Sequence, residues 1–360
     1  MEFVADIGLF VLKAIIIVIA FGMIVGAIAS TVHKNKEHPP QGHISIHDLT
    51  QKFKDLKADM LEEILDKKAL KSQKKSDKVE AKKKKKQQKV AAVTAEESVD
   101  EDADEEATKE DKGRIFVLNF DGDVHAVGVE NLREEISAIL SISEKQDEVM
   151  LRLESPGGVV HGYGHAASQL KRLTDKGIKL TVAVDEIAAS GGYMMACVAD
   201  TIIAAPFAII GSIGVIAELP NFNRLLKKYD VDIEQHTAGE FKRTLTMLGE
   251  NTDKGREKFK QELEDVHGLF KSWVKENREQ LDIDKVATGE HWFGQQALEL
   301  DLVDSLGTSD DFIMEKVKDY EVYEITYEEP KQLGNRLGKI LQQTLEKGLS
   351  VFTKQRTPFN

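Results

Sequence analysis

Ser190 lies between Ala188-Ala189 and Gly191-Gly192-Tyr193, and Lys242 closes the turn Gly239-Glu240-Phe241-Lys242. A serine in a tight, glycine-flanked turn offers its hydroxyl to an approaching substrate. At its ordinary pKa that hydroxyl is a weak nucleophile and needs a base. A lysine is such a base when its amine is held uncharged, which apolar surroundings favour. Phe241 flanks Lys242, and Leu245 and Met247 follow closely, so a lysine set among apolar side chains is expected. Serine plus lysine is the equipment of an acyl-transfer hydrolase.

Acyl transfer also needs donors for the developing oxyanion. Gly191 and Gly192 let the backbone approach a carbonyl, and the N–H of Ser190 or Gly191 is one candidate donor. Ser155-Pro156-Gly157-Gly158 is a second glycine turn, from which Gly158 would supply another N–H. Ser212, in Gly211-Ser212-Ile213-Gly214, is a candidate to hydrogen-bond and orient the lysine amine. Taken singly, each of these is an ordinary turn, and only their combination points to chemistry. A histidine base is disfavoured. No histidine falls between Ser190 and His236, and Ala188 stands where the first glycine of a Gly-x-Ser-x-Gly elbow would be. His161 and His165 share a helix face but lack a glutamate between them or a clear third ligand. No metal or other cofactor is expected, and no Gly-x-x-x-x-Gly-Lys loop suggests ATP dependence.

These turns must be held by strands and helices. Apolar runs at Ile115–Phe120, Glu148–Leu153, Ile178–Val184, Thr201–Ala205, Ala208–Ile216, Val231–His236 and Val322–Tyr327 read as strands. Helical patterns cover Val129–Leu140, Tyr163–Leu173, a small-residue stretch after Ser190, Asn221–Tyr229, Lys254–Leu281, Gln295–Leu300 and Asp310–Val317. That rhythm argues for an α/β layered fold with largely parallel strands. Such sheets place ligands in loops at the carboxyl ends of strands. Ser155–Gly158, Ser190 and Lys242 all fall in such loops.

Ahead of this domain, Ala14–Val32 is a run of 19 residues without a charge, close to what one crossing of a bilayer requires. Ala27-Ile28-Ala29 resembles a signal-peptide cleavage site, but Glu2 and Asp6 replace the usual basic start and the run is long. Residues 1–32 are therefore expected to be a single-pass anchor. Lys34 and Lys36 after the run would place the following bulk in the cytoplasm by the positive-inside rule.

Residues 33–112 read as a charged, largely disordered tether. Lys34 to Lys112 carries 19 basic and 19 acidic residues, including five consecutive lysines at 82–86 and an acidic block at 96–111. Phe53, Leu56, Met60, Leu61, Ile64 and Leu65 suggest one short amphipathic helix within Gln51–Lys71. With a formal net charge of −13 for the whole chain, the excess acidity then sits in the C-terminal globular part, which argues against the basic face a nucleic-acid partner would need. A lone cysteine, Cys197, excludes a disulfide framework. The domain spans 113–330, and the tail 331–360 has Leu337, Ile340, Leu341 and Leu345 at helical spacing.

Ser155-Pro-Gly-Gly158, Asp185-x-x-Ala-Ala-Ser-Gly-Gly-Tyr193, Gly211-Ser-Ile-Gly-Val215 and Gly239-Glu-Phe-Lys242 together resemble the signal-peptide-peptidase family of serine–lysine peptidases. The similarity extends to its membrane-anchored, SohB-type branch and covers roughly residues 113–327. It implies a Clp-protease/crotonase-like fold, Ser190 as nucleophile, Lys242 as general base, Ser212 as the lysine's partner, and Gly158 and Gly191 as oxyanion donors. It also implies a homo-oligomer in which the dyad can be completed across neighbouring subunits. The domain would sit on the periplasmic side of the inner membrane, against the charge-rule reading, with peptide or protein substrates that are short or unfolded and apolar. One departure is that Arg243–Leu248 lacks the proline that usually follows the lysine in the related branch. Two other functions remain open on sequence alone. A crotonase-like acyl-CoA enzyme uses the same glycine-rich oxyanion loops without a serine nucleophile, and a non-catalytic membrane scaffold would act through its tail.

Overall fold

The computed structural model describes residues 42–66 and 113–330. Ile44–Thr326 form one compact unit. The described remainder is Gly42–His43 and 327–330, where His43 Nε2 stands 3.9 Å from a Glu328 carboxylate oxygen. The apolar run Ala14–Val32, the lysine and acidic blocks and the tail leucines lie outside the described residues. Among the described residues no helix is long and apolar enough to cross a membrane.

The first described elements are strand β1 (His43–Asp48) and helix α1 (Leu49–Ile64). A helix was expected over Gln51–Lys71. It starts two residues earlier because Asp48 caps it, its carboxylate accepting the Gln51 N–H at 2.8 Å. The strand before it was not expected. Leu49 is buried, and the Thr50 hydroxyl accepts the Val322 N–H at 2.8 Å, so this segment packs onto the folded unit.

Strands β2 (Arg114–Asp121), β3 (Glu148–Glu154), β4 (Lys179–Val184), β6 (Thr201–Ala204), β9 (Ser305–Leu306) and β10 (Glu321–Glu328) complete the main sheet, ordered β1-β10-β2-β3-β4-β6-β9. From β10 to β9 each neighbouring pair is parallel. The continuous apolar run Ile115–Leu118 follows from burial on both faces. Ile115 and Val117 pack with Leu49, Met150, Ile313 and Val322 on one side. Phe116, Leu118 and Phe120 face the other side, beneath α2 (Val129–Ile142), α3 (Val160–Asp175) and α4 (Gly191–Ala196).

A smaller sheet leads into the Ser190 and Ser212 turns. Strand β5 (Ile187–Ala189) runs parallel to β7 (Ile209–Gly211), which pairs antiparallel with β8 (His291–Phe293). Helix α5 (Asn223–Lys228) and the long α6 (Asp253–Asn277) follow, then α7 (Ile283–Val286), α8 (Gly294–Glu299) and α9 (Ser309–Lys316). The β7 strand stops at Gly211, short of the expected Ile216, where Gly211 and Ser212 both take positive φ. Val231–His236 does not form a strand, although its apolar residues alternate as expected. No other described segment pairs with it, and Val231 and Ile233 are exposed. A strand without a ladder partner has nowhere to satisfy its backbone.

The end of α6 is fixed by an ion pair between a buried arginine and a half-buried aspartate. Arg278, 3% exposed, makes two 2.8 Å bonds to the Asp304 carboxylate and one of 3.2 Å to the Asp301 carbonyl. Asp304 also accepts the Ile202 N–H at 2.7 Å, tying α6 to β6. Arg278→Leu strips the carboxylate of its countercharge. It should lower unfolding stability by about 1–2 kcal/mol in chemical denaturation, because the remaining Asp304 is partly solvated.

Candidate active site

Short strand β5 delivers Ser190 to the carboxyl edge of the small sheet. Ser155 forms a parallel bridge to Ala188, donating its N–H to the Ile187 carbonyl and accepting the Ala189 N–H, so strand β3 guides β5. Glu154 clamps the entry to this turn. Its carboxylate accepts the N–H groups of Asp185, Glu186 and Ile187 at 2.8 to 3.1 Å. Burial nevertheless raises the Glu154 carboxyl above its ordinary range, outweighing those bonds. Asp185, first residue of the sequence motif, holds the turn from outside by accepting the Ser309 N–H and hydroxyl at 2.8 and 2.6 Å.

Ser190 itself has φ 53° and ψ −116°, a backbone that L-residues rarely adopt. Such strain costs about 1–3 kcal/mol and persists only where the surroundings over-determine it. Here the Ser190 N–H donates to the Gly211 carbonyl at 2.7 Å, and the Ser190 carbonyl accepts the Met194 N–H at 2.9 Å. The Ser190 N–H is thus engaged. Of the two donors suggested by sequence at this turn, the Gly191 N–H, at the first residue of α4, remains the candidate.

The β5–β7 register sets Ala189 opposite Gly211, which brings Ser190 and Ser212 to adjacent positions beyond the strand ends. Ser212 also has positive φ, 54°, and its N–H donates to the Glu290 carbonyl at 2.7 Å. The Gly157–Gly158 loop closes against the nucleophile turn. Gly157 has φ +85°, and a methyl group there would stand 2.6 Å from the Gly191 nitrogen, so only glycine fits. Ser190, Gly158 and Gly191 all line a pocket of about 80 Å³. Its side-chain walls are Val160, Met194, Val215, Ile216, Val266 and Phe270, with no charged group among them.

Lys242 is not brought to this pocket. It is exposed, contrary to the expectation of an apolar setting, and lines a separate cleft of about 870 Å³ with Phe222, Ile233, His236 and Met247. No hydrogen bond joins it to Ser190 or Ser212 among the described residues. The physical reason lies in its neighbours, since Phe241 is itself exposed and lies beneath the ammonium groups of Lys254 and Lys258, 5.6 and 5.8 Å from its ring centre. Cys197 is buried and its thiol is pushed up to about 12. Among the described residues no group of three His, Cys, Asp or Glu could hold a metal ion.

Residues 2–170 match the description "Peptidase family S49 N-terminal", and residues 172–323 match "Peptidase family S49". The chain is 43% identical over 327 residues to a putative protease SohB of Buchnera aphidicola subsp. Baizongia pistaciae, covering 91% of each. The chain belongs to peptidase family S49. Within that family it is of the SohB type, being also 60% identical over 248 residues to the probable protease SohB of Haemophilus influenzae, 69% of each chain. A solved structure titled as a membrane-bound stomatin-specific protease mutant with a substrate peptide aligns at TM-score 0.41 and 11% identity. That alignment covers 65% of this chain and 99% of the other.

Several residues that shape this candidate site gave no signal in the motifs. Glu154 was hidden as the residue before Ser155-Pro-Gly-Gly. An acid at the end of a buried strand is the cue that could have exposed it. Met194, Val266 and Phe270 come from two helices and have no sequence proximity to reveal them.

Proposed function

We propose that the protein is an endopeptidase that cleaves peptide bonds through Ser190 and Lys242. The observation that carries this reading is the strained Ser190, presented at the mouth of an apolar pocket beside Gly158 and Gly191. Ser190 Oγ attacks the scissile carbonyl while its proton passes to Lys242 Nζ. The N–H groups of Gly158 and Gly191 stabilise the oxyanion. The protonated amine then gives its proton to the leaving nitrogen, and an acyl group remains on Ser190. Water, deprotonated by the same amine, releases it. Ser212 orients the amine by hydrogen bonding.

A lysine is a base only when uncharged, and Lys242 is exposed in the single chain. The apolar cover has to come from another surface. The stretch from Ile216 to Leu248 is where the described chain exposes apolar side chains most densely, with Ile216 80%, Tyr229 69% and Leu225 52% exposed. Patches of this kind mark protein interfaces. A homo-oligomer fits, in which a neighbouring subunit covers this segment and Lys242 meets the neighbour's Ser190. The run Ala14–Val32 would anchor each subunit in the inner membrane, with the catalytic domain on the periplasmic side.

Substrates are peptides or unfolded proteins carrying a small apolar residue before the scissile bond, because the pocket beside Ser190 is narrow and uncharged. Met194→Ala widens it. The ratio of kcat/KM for leucine over alanine at that position should rise by about tenfold or more. The assignment of Ser190 is tested by treating the protein with a serine-reactive fluorophosphonate and mapping the adduct by mass spectrometry. Modification at Ser190 is expected, and an adduct confined to other serines would defeat the assignment.

A further inference from the structure

Tyr163 and Ser155 are both fully buried and adjoin the site without entering it. Tyr163 Oη donates to the Asp123 backbone carbonyl at 2.7 Å. Its one proton thus committed, it can only accept from Ser155 Oγ, 2.6 Å away. Ser155 Oγ in turn accepts the Gly157 N–H at 3.1 Å. The result is a one-way chain of hydrogen bonds running from the Gly157 N–H to the Asp123 carbonyl, in which each bond polarises the next. Burial holds the Tyr163 hydroxyl above the usual phenol range, so it keeps the proton this chain requires.

The other end of the same side chain meets the opposite wall of the site. A methyl group at Gly191 would overlap the Tyr163 ring, so ring and backbone are in contact there. The edge of Phe120 fixes the ring from behind, with centroids 6.5 Å apart and planes at 76°.

We propose that Tyr163 is a positioning residue of the active site, setting the spacing between the Gly158 and Gly191 N–H groups. Its hydroxyl holds the Gly157–Gly158 loop through Ser155, and its ring sets the depth of Gly191. This inference rests on Ser190 as nucleophile and on those two N–H groups as oxyanion donors. Donors act on the oxyanion that forms in the transition state, so a loop displaced by a fraction of an ångström weakens turnover more than substrate binding.

The test compares the full-length wild-type chain with Tyr163→Phe and with Ser155→Ala, which removes the middle link at little change in volume. The readouts are kcat, KM, affinity for a peptide boronic acid, fluorophosphonate labelling and thermal midpoint. The boronic acid places a negatively charged oxygen where the oxyanion forms. Each variant should lower kcat by about tenfold, keep KM within about twofold, and weaken boronic acid binding by about the same factor as kcat. A purely structural role would lower the thermal midpoint while leaving kcat and boronic acid affinity intact in whichever variant folds. That result overturns the inference alone. A wild-type chain that hydrolyses peptide but is never modified at Ser190 overturns the nucleophile assignment and this inference with it.

Discussion

Ser190→Ala is expected to lower kcat for peptide hydrolysis by roughly 10³- to 10⁶-fold, with little change in KM or folding. Among the described residues the hydroxyl makes no hydrogen bond whose loss would disturb the turn, and alanine keeps the same Cβ. The strained φ of 53° is imposed by the Gly211 carbonyl and by β5, not by the side chain. The effect should therefore fall on chemistry. Hydrolysis of a chromogenic peptide by the purified variant measures it, and activity within tenfold of wild type would remove Ser190 from the mechanism.

The second large effect concerns where the base comes from. Lys242→Ala alone should be as inactive as Ser190→Ala, since losing either member of a unit costs nearly the full effect. In the single chain the two residues line different cavities. If each site takes its serine from one subunit and its lysine from the next, co-assembled Ser190→Ala and Lys242→Ala chains rebuild some intact sites. With random mixing in equal amounts, about one quarter of sites pair an intact serine with an intact lysine, so about a quarter of wild-type activity should return. No recovery in demonstrably mixed particles would place both groups in one subunit.

The layered frame was legible because its central strands are buried on both faces and show it as largely apolar runs, Ile115–Leu118 and Leu180–Val184 among them. The glycine turns were legible because Gly157 and Gly191 have no room for a side chain, and the sequence records that constraint directly. Strands β5 and β8, three residues each, were not legible, since their pairing joins segments distant in sequence and leaves no local period. The same limit hid β1. Val231–His236 shows the opposite failure, a strand pattern with no partner among the described residues. That mismatch and the exposure of Lys242 occur in one segment, and both are what a surface completed by a second subunit would produce. In the sequence Tyr163 read only as the start of a helix. What it holds becomes visible only once Asp123, Ser155 and Gly191 are placed around it.

The most direct test is a structure of the peptide-hydrolysing particle in which the separation of Ser190 Oγ from every Lys242 Nζ is measured. Hydrogen-bond reach, about 3 Å, between groups of neighbouring subunits is the predicted result. A particle that turns over peptide with no Lys242 amine within roughly 6 Å of any Ser190 hydroxyl would contradict it.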